Sequence, residues 1–181
     1  MDMVVCSPND FYKSKMNKFI TRQCNDISSQ WIYQIIDNKL KDTDEVVFHN
    51  TPEWVLCLDK HVGQDTRFLI IFKDRSLHTI RDLRQTHVRM LHEIDAFLVQ
   101  WLGAERSKYS FYFHYMPSVF QLHLHITTVY STRNTVRMQP LHVVIRNIEQ
   151  DSLYYHKALI YTKYCKTLKK AETHAKIMTH I

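Results

Sequence analysis

The sequence predicts an α+β domain built around an antiparallel sheet. Two observations carry that expectation. Three short segments rich in β-branched and aromatic residues precede the longest helical pattern, and two period-two segments plus a last short one follow it. No internal repeat, low-complexity tract or Pro/Gly-rich linker divides the 181 residues, a length that suits one core.

Taken in order, the first ~25 residues mix polar and apolar positions without a clear period, and residues 1–25 are read as an extension or hinge segment. "DISSQWIYQIIDNKL" predicts a helix that Asp26 or Ser28 can cap, with Ile32, Ile35, Ile36 and Leu40 on one stripe. "EVVFH", "EWVLCL" and "RFLIIF" predict strands, the turn between the last two carrying Gly63. "RDLRQTHVRMLHEIDAFLVQWLG" predicts the long helix, with Val88, Leu91, Ile94 and Leu98 on its buried face and Gly103 as its C-terminal cap. "YSFYFHY" and "FQLHLHITTVY" alternate with period two and are separated at "MPS", where Pro117 cannot donate to a ladder. A helix follows Pro140 in "VRMQPLHVVIRNI", and "KALIYTKY" is the last strand. The main domain is therefore placed at residues 26–165, with a basic helix or tail over 166–181.

Composition excludes several classes. Two glycines, Gly63 and Gly103, leave no glycine-rich phosphate loop or dinucleotide fingerprint. The longest apolar runs, such as "FLIIF", are too short to span a bilayer, and "MDMVVC" does not read as a signal peptide. Four scattered cysteines without a C-x-x-C pair suit reduced thiols in a cytoplasmic or nuclear protein better than a disulfide framework or zinc site. A formal charge of +6 favours anionic partners in general.

The segment "HYMPSVFQLHLHITTVY" puts His123 and His125 two apart. In a strand, Phe120, Leu122, Leu124 and Ile126 share one apolar side, and Gln121, His123, His125 and Thr127 share a polar one. Three readings fit that spacing: a solvated sheet face, a metal site lacking its remaining ligands, or an imidazole row that attacks phosphorus. Spacing alone does not choose among them.

"FHYMPSVFQLHLHITT" resembles the active-site strand of the histidine-triad superfamily. It is similar in particular to the scavenger mRNA decapping enzymes, in which a His-Tyr-x-Pro-Ser stretch leads into the triad. "SLHTIRDLRQTHVRML", "SSQWIYQIIDNKLKDTDEVVFHN" and "SLYYHKALIYTKY" resemble further segments of that family, so the likeness runs in order over roughly residues 10 to 165. It implies an antiparallel histidine-triad-like sheet with a long helix and flanking helices, and it implies that the separate N-terminal domain of those enzymes is missing.

By position, the resemblance makes His123 the nucleophile and His125 the third triad histidine, which contacts phosphate and helps hold its neighbour's tautomer. It places His114 and Ser118 along the phosphate path and Arg137 on the substrate's distal side. Trp31 falls on a tryptophan that stacks on methylated guanine, a cation–π pair. Asp42 or Asp44 falls where an acidic residue meets the guanine edge, and Asp59 with Lys60 or His61 at the substrate rim. Two positions depart: Gln121 stands at the first triad histidine, and Val119 at a position usually aromatic. Gln121 is expected to reduce the chemistry without abolishing it.

What the resemblance implies is a nucleotide pyrophosphate hydrolase needing no metal or other cofactor, cleaving a cap dinucleotide or short capped RNA through a nucleotidyl-histidine. It further implies a homodimer without DNA or membrane partners. The competing expectation is a binding protein that sequesters caps or dinucleotides uncut.

Overall fold

A computed structural model describes residues 3–8, 14–26, 29–39, 46–59, 67–129, 135–163 and 169. Their elements, in chain order, are β1 (Met3–Cys6), α1 (Ser14–Cys24), α2 (Gln30–Ile36), β2 (Val47–Asn50), β3 (Trp54–Leu58) and β4 (Phe68–Phe72). Next come α3 (Val88–Leu102), β5 (Tyr109–His114), β6 (His123–Thr128), β7 (Met138–Pro140), α4 (Leu141–Gln150), α5 (Tyr154–Lys157) and β8 (Ile160–Lys163). Six strands form one antiparallel sheet in the order β2-β3-β4-β6-β5-β7, and β1 pairs with β8 in a separate ribbon. The α+β class and the antiparallel sheet with its long helix are as the sequence predicts.

Strand alternation sorts the sheet into two apolar faces. The pairs Trp54–Phe72, Leu56–Ile70, Ile70–Leu124 and Phe68–Ile126 place these residues on one face. They are buried in the same core as Leu91, Ile94 and Leu98 of α3 and Val144 and Ile148 of α4. The pairs Val55–Ile71 and Cys57–Leu69 fall on the other face, where Ile32 and Ile35 of α2 cover them. His123 pairs with Ile71 and His125 with Leu69, so the imidazoles share this second face beside the α2 cluster. Each imidazole therefore extends a packed surface and does not stand on a solvated one.

Several boundaries differ from the sequence expectation. β6 begins at His123, and Gln121 lies in a bend before it, so Gln121 does not belong to the alternating strand face. Leu122 takes part through its backbone, which receives the Phe72 N–H at 3.1 Å and donates to Leu77 at 2.7 Å. The long helix starts at Val88 and not near Arg81, because Leu83 is extended (ψ 141°) between two short 3-10 turns, Ile80–Asp82 and Gln85–His87. α2 starts after Ser29, whose side chain makes no cap bond, and closes where Asn38 turns left-handed (φ 56°). Gly103, with φ 51°, occupies the predicted end of α3. Gly63, Leu40 and most of the basic C-terminal segment lie outside the described residues.

The first 24 residues hold two elements that the pattern did not reveal. β1 brings Cys6, and α1 brings Met16, Phe19 and Ile20, into the main core. Arg81 fastens this end of the molecule. It is fully buried, with Nη1 donating to the Tyr155 and Ala158 carbonyls at 2.8 and 2.9 Å and Nη2 to the Cys6 carbonyl at 2.8 Å. Nε donates to the Tyr115 hydroxyl. A guanidinium suits this place because its planar fork serves several carbonyls at once. Asp82 beside it closes a capping box, accepting from the His78 and Thr79 backbone N–H groups at 2.9 Å.

Candidate active site

Strand register assembles the site. Tyr112 on β5 lies directly opposite His125 on β6, and His114 follows two residues along on the same face. The His114 and His125 rings have centroids 4.2 Å apart, His123 and His125 4.8 Å, and Tyr112 stacks on His125 at 5.4 Å. The row ends in Thr127, whose hydroxyl donates to the Tyr112 hydroxyl at 3.3 Å.

His123 is 8% exposed, and its Nδ1 sits 2.7 Å from the Gln121 backbone carbonyl. A carbonyl only accepts, so in the neutral ring Nδ1 carries the hydrogen and Nε2 keeps the lone pair. Nε2 has no hydrogen-bond partner among the described residues. This is the arrangement required of an imidazole that acts as a nucleophile.

Burial keeps the row neutral. It pushes His123 below the ordinary imidazole range against the opposing influence of the Gln121 carbonyl and Asp59. Burial, then the nearby Arg137 and His123, takes His114 down to about 3. His125 is held well below the ordinary value by burial, followed by His123, His114, Arg137 and Arg67. Two guanidinium groups thus act on a neutral imidazole cluster, while buried Asp59 acts on His123 from the end of β3. Such a surface suits an anionic ligand whose oxygens meet cations and N–H donors in a site shielded from water.

Of the residues singled out in the sequence, the structure brings together His114, His123, His125, Arg137 and Asp59. Arg137 is anchored at the mouth of β7 by its Nη2, which donates to the Met116 carbonyl, and by its own carbonyl, which accepts from Tyr115 N at 2.8 Å. Ser118 is exposed on the loop entering β6. Trp31 is half-buried on α2 and packs against the Ile32–Ile35 cluster on the same sheet face. Asp42, with its alternative Asp44, and Lys60, with its alternative His61, lie outside the described residues.

Gln121 is where the alternation argument needs correction. It is completely buried, and its amide Nε2 donates to the Phe72 and Asp74 carbonyls at 2.7 and 2.9 Å. The side chain ties the loop to the end of β4, and its own backbone carbonyl then receives His123 Nδ1. Its Oε1 and the His125 Nε2 are sealed from solvent without a hydrogen-bond partner among the described residues.

Tyr112 and Arg67 were missed in the sequence. Tyr112 carried a signal, since it stands two residues before His114 in an alternating strand; Arg67 reads only as a strand-end charge until register places it near His125. No group of three or more His, Cys, Asp or Glu side chains stands ready to hold a metal among the described residues. Two cavities have no imidazole of the row in their lining. One of about 330 Å³ runs along β5 by Arg106, Tyr112 and His142, and one of about 350 Å³ lies by Phe72, Asp74 and His87.

This sheet, with its imidazole row and a His123 tautomer set by a backbone carbonyl, has a histidine-triad-like fold. The family described as scavenger mRNA decapping enzyme C-term binding matches residues 30–139, and the chain belongs to it. Among similar curated proteins are the m7GpppX diphosphatases of Bos taurus, 31% identical over 147 residues, and of Homo sapiens, 28% identical over 145. Both alignments take in 72% of this chain and 43% of the relative, so the chain spans less than half of the length of these relatives. Among solved structures, Hnt3 in complex with DNA and guanosine matches with a TM-score of 0.50 at 12% identity, covering 80% of this chain and 96% of that one. That likeness is one of fold.

Proposed function

We propose that the chain hydrolyses a phosphoric anhydride bond in a nucleotide of the m7GpppN type, the class of substrate named for its curated relatives. The observation that carries the reading is the 2.7 Å contact from His123 Nδ1 to the Gln121 carbonyl, which leaves Nε2 as the reactive atom. His123 Nε2 attacks the phosphorus nearest the methylguanosine, a P–N bond forms, and the bond to the bridging oxygen breaks. The downstream nucleoside diphosphate departs with the bridging electron pair. Water then cleaves the P–N bond and releases the nucleoside monophosphate, restoring the imidazole. Arg137 and Arg67 neutralise charge on the phosphoryl oxygens, the neutral His125 ring donates a hydrogen bond to them, and Trp31 supplies a face for the methylated base. Ser118 and His114 line the polyphosphate, with Asp59 at its rim; Asp42 and Lys60 extend the contacts to base and rim.

A sequestering protein is the second reading, favoured by one observation: Gln121 gives its amide to backbone carbonyls and so offers no donor there to a leaving group. The two readings separate in one experiment. The purified chain is incubated, with chelator present, with cap dinucleotide, capped oligonucleotide, diadenosine polyphosphate and a short DNA duplex, and products are resolved by chromatography. Cap cleavage to monophosphate and diphosphate supports the hydrolase, and binding without products supports sequestration. Cleavage of another nucleotide alone changes the substrate, and DNA binding would add a partner class that Hnt3 displays. His123→Ala is expected to lose turnover by at least about 10³-fold while cap binding stays within a few-fold. Retained turnover in that variant removes His123 from the chemistry.

A further inference from the structure

Of the three imidazoles in the row, only His123 is held by a hydrogen bond, its Nδ1 meeting the Gln121 carbonyl at 2.7 Å. His114 and His125 make none among the described residues, and the Nε2 of His125 is sealed from solvent as well. A histidine ring is ordinarily oriented, and its tautomer chosen, by the group bonded to one of its nitrogens. For His114 and His125 that task falls to packing.

Tyr112 is a ring that touches both. It lies directly opposite His125 in the β5–β6 ladder, and the two rings stack nearly parallel, at 13°, with centroids 5.4 Å apart. Two residues further along β5, His114 leans on Tyr112 at 5.2 Å and 51°, and on His125 at 4.2 Å and 49°. The tyrosine itself has little freedom. It is 6% exposed, its hydroxyl accepts from Thr127 at 3.3 Å, and its backbone pairs with His125 on one side and Pro140 of β7 on the other. An aliphatic side chain would fill the same volume but offer no plane to lie against.

We propose that Tyr112 is a positioning residue for the hydrolysis proposed above: its face fixes the planes of His114 and His125, and a polyphosphate oxygen selects the nitrogen that each presents. The inference rests on that reading of the site. A half-turn of either ring about its Cβ–Cγ bond keeps the plane against Tyr112 and breaks no hydrogen bond, so the ligand chooses the donor at small cost. His123 lacks this freedom, since the same half-turn would take Nδ1 away from the Gln121 carbonyl. The nucleophile is thus set in advance by the backbone, while its two neighbours are set in plane by Tyr112 and in donor by the substrate. Tyr112 itself transfers no proton and forms no bond to substrate.

The test compares wild type, Tyr112→Phe and Tyr112→Leu by steady-state cleavage of cap dinucleotide and by NMR of the histidine rings in the ligand-free chain. In Tyr112→Leu, kcat should fall by about 10–100-fold with KM within about threefold, and the His114 and His125 ring signals should broaden while that of His123 stays sharp. Tyr112→Phe keeps the plane and should restore sharp signals and a kcat within about threefold of wild type. If Tyr112→Leu does not fold by circular dichroism, Tyr112→Met, whose flexible chain fills gaps, takes its place. A merely structural tyrosine would disturb all three rings alike, so equal broadening of the three, or of none, overturns the positioning role. An unchanged kcat in Tyr112→Leu, or a loss in Tyr112→Phe as large as in Tyr112→Leu, overturns it too. A cap analogue with methylene in place of the bridging oxygen should bring His114 and His125 of wild type to one tautomer each, read from the ring nitrogen shifts. Single tautomers already fixed in the free chain, or no change on binding, overturn selection by the ligand. The free-chain spectra involve no nucleotide. If wild type neither cleaves nor binds the cap, the hydrolase reading fails, and those spectra still decide whether Tyr112 holds the rings.

Discussion

Gln121 shows how much one side chain's direction decides. From the sequence it reads as a triad position on a polar strand face. In the folded chain it is a buried brace whose amide holds the carbonyls of Phe72 and Asp74, and whose backbone oxygen holds His123. Gln121→Ala removes two buried hydrogen bonds and leaves two carbonyls without that donor, so it should cost about 1–3 kcal/mol in urea denaturation. Under the proposed hydrolysis, because the lost brace also frees the acceptor of His123 Nδ1, turnover on a cap substrate should fall by more than about tenfold with KM little changed. A variant equally stable and active to wild type would mean the brace is idle. His123 and His125 were legible as a pair because they stand at strand spacing, and His114 through the resemblance carried by the His-Tyr-Met-Pro-Ser stretch. Arg67 and the direction of the Gln121 amide were not, since both depend on which strand lies alongside.

Elements with a strong period were legible and those held by tertiary contact were not. α3 announces itself through Leu91, Ile94 and Leu98, all fully buried. α1 has only Met16, Phe19 and Ile20 among lysines, asparagine and threonine, too thin a stripe to stand out, and β1 is four residues long. Their stability comes from what they meet. Phe19 packs edge-on against Phe120 with centroids 5.8 Å apart, joining α1 to the loop before the imidazole strand. Phe19→Ala should therefore destabilise the domain by about 3–5 kcal/mol in a single cooperative thermal transition. A loss below about 1 kcal/mol, or a separate early transition, would show that α1 is a peripheral addition to the core.

At the scale of the whole molecule, one buried and two half-buried imidazoles beside two guanidinium groups set how the fold responds to acid. In the unfolded chain each histidine binds a proton as pH falls through ~6.5. In the folded chain His114 resists until about 3, and burial lowers His123 and His125 as well. Over that window the unfolded state binds more protons, so stability is full above ~6.5 and declines as pH falls, by up to about 1.4 kcal/mol per pH unit for each histidine involved. His78 acts in the opposite sense, since its folded value is raised and its contribution is kept at low pH and lost as pH rises. The lowered carboxylates of Asp37, Asp74 and Asp151 enter only below their ordinary value of 3.8. Weakening that begins between ~6.5 and ~4.5 is thus the mark of the imidazole row together with His87, which burial also lowers, and it precedes ordinary carboxylate titration. Thermal melts at intervals across that range should show Tm falling for wild type and a shallower fall for His114→Asn, which removes one titrating group. An identical slope in the two proteins would mean that His114 takes up its proton in the folded state as readily as in the unfolded chain, and that the face carrying the row is wetter than its packing requires.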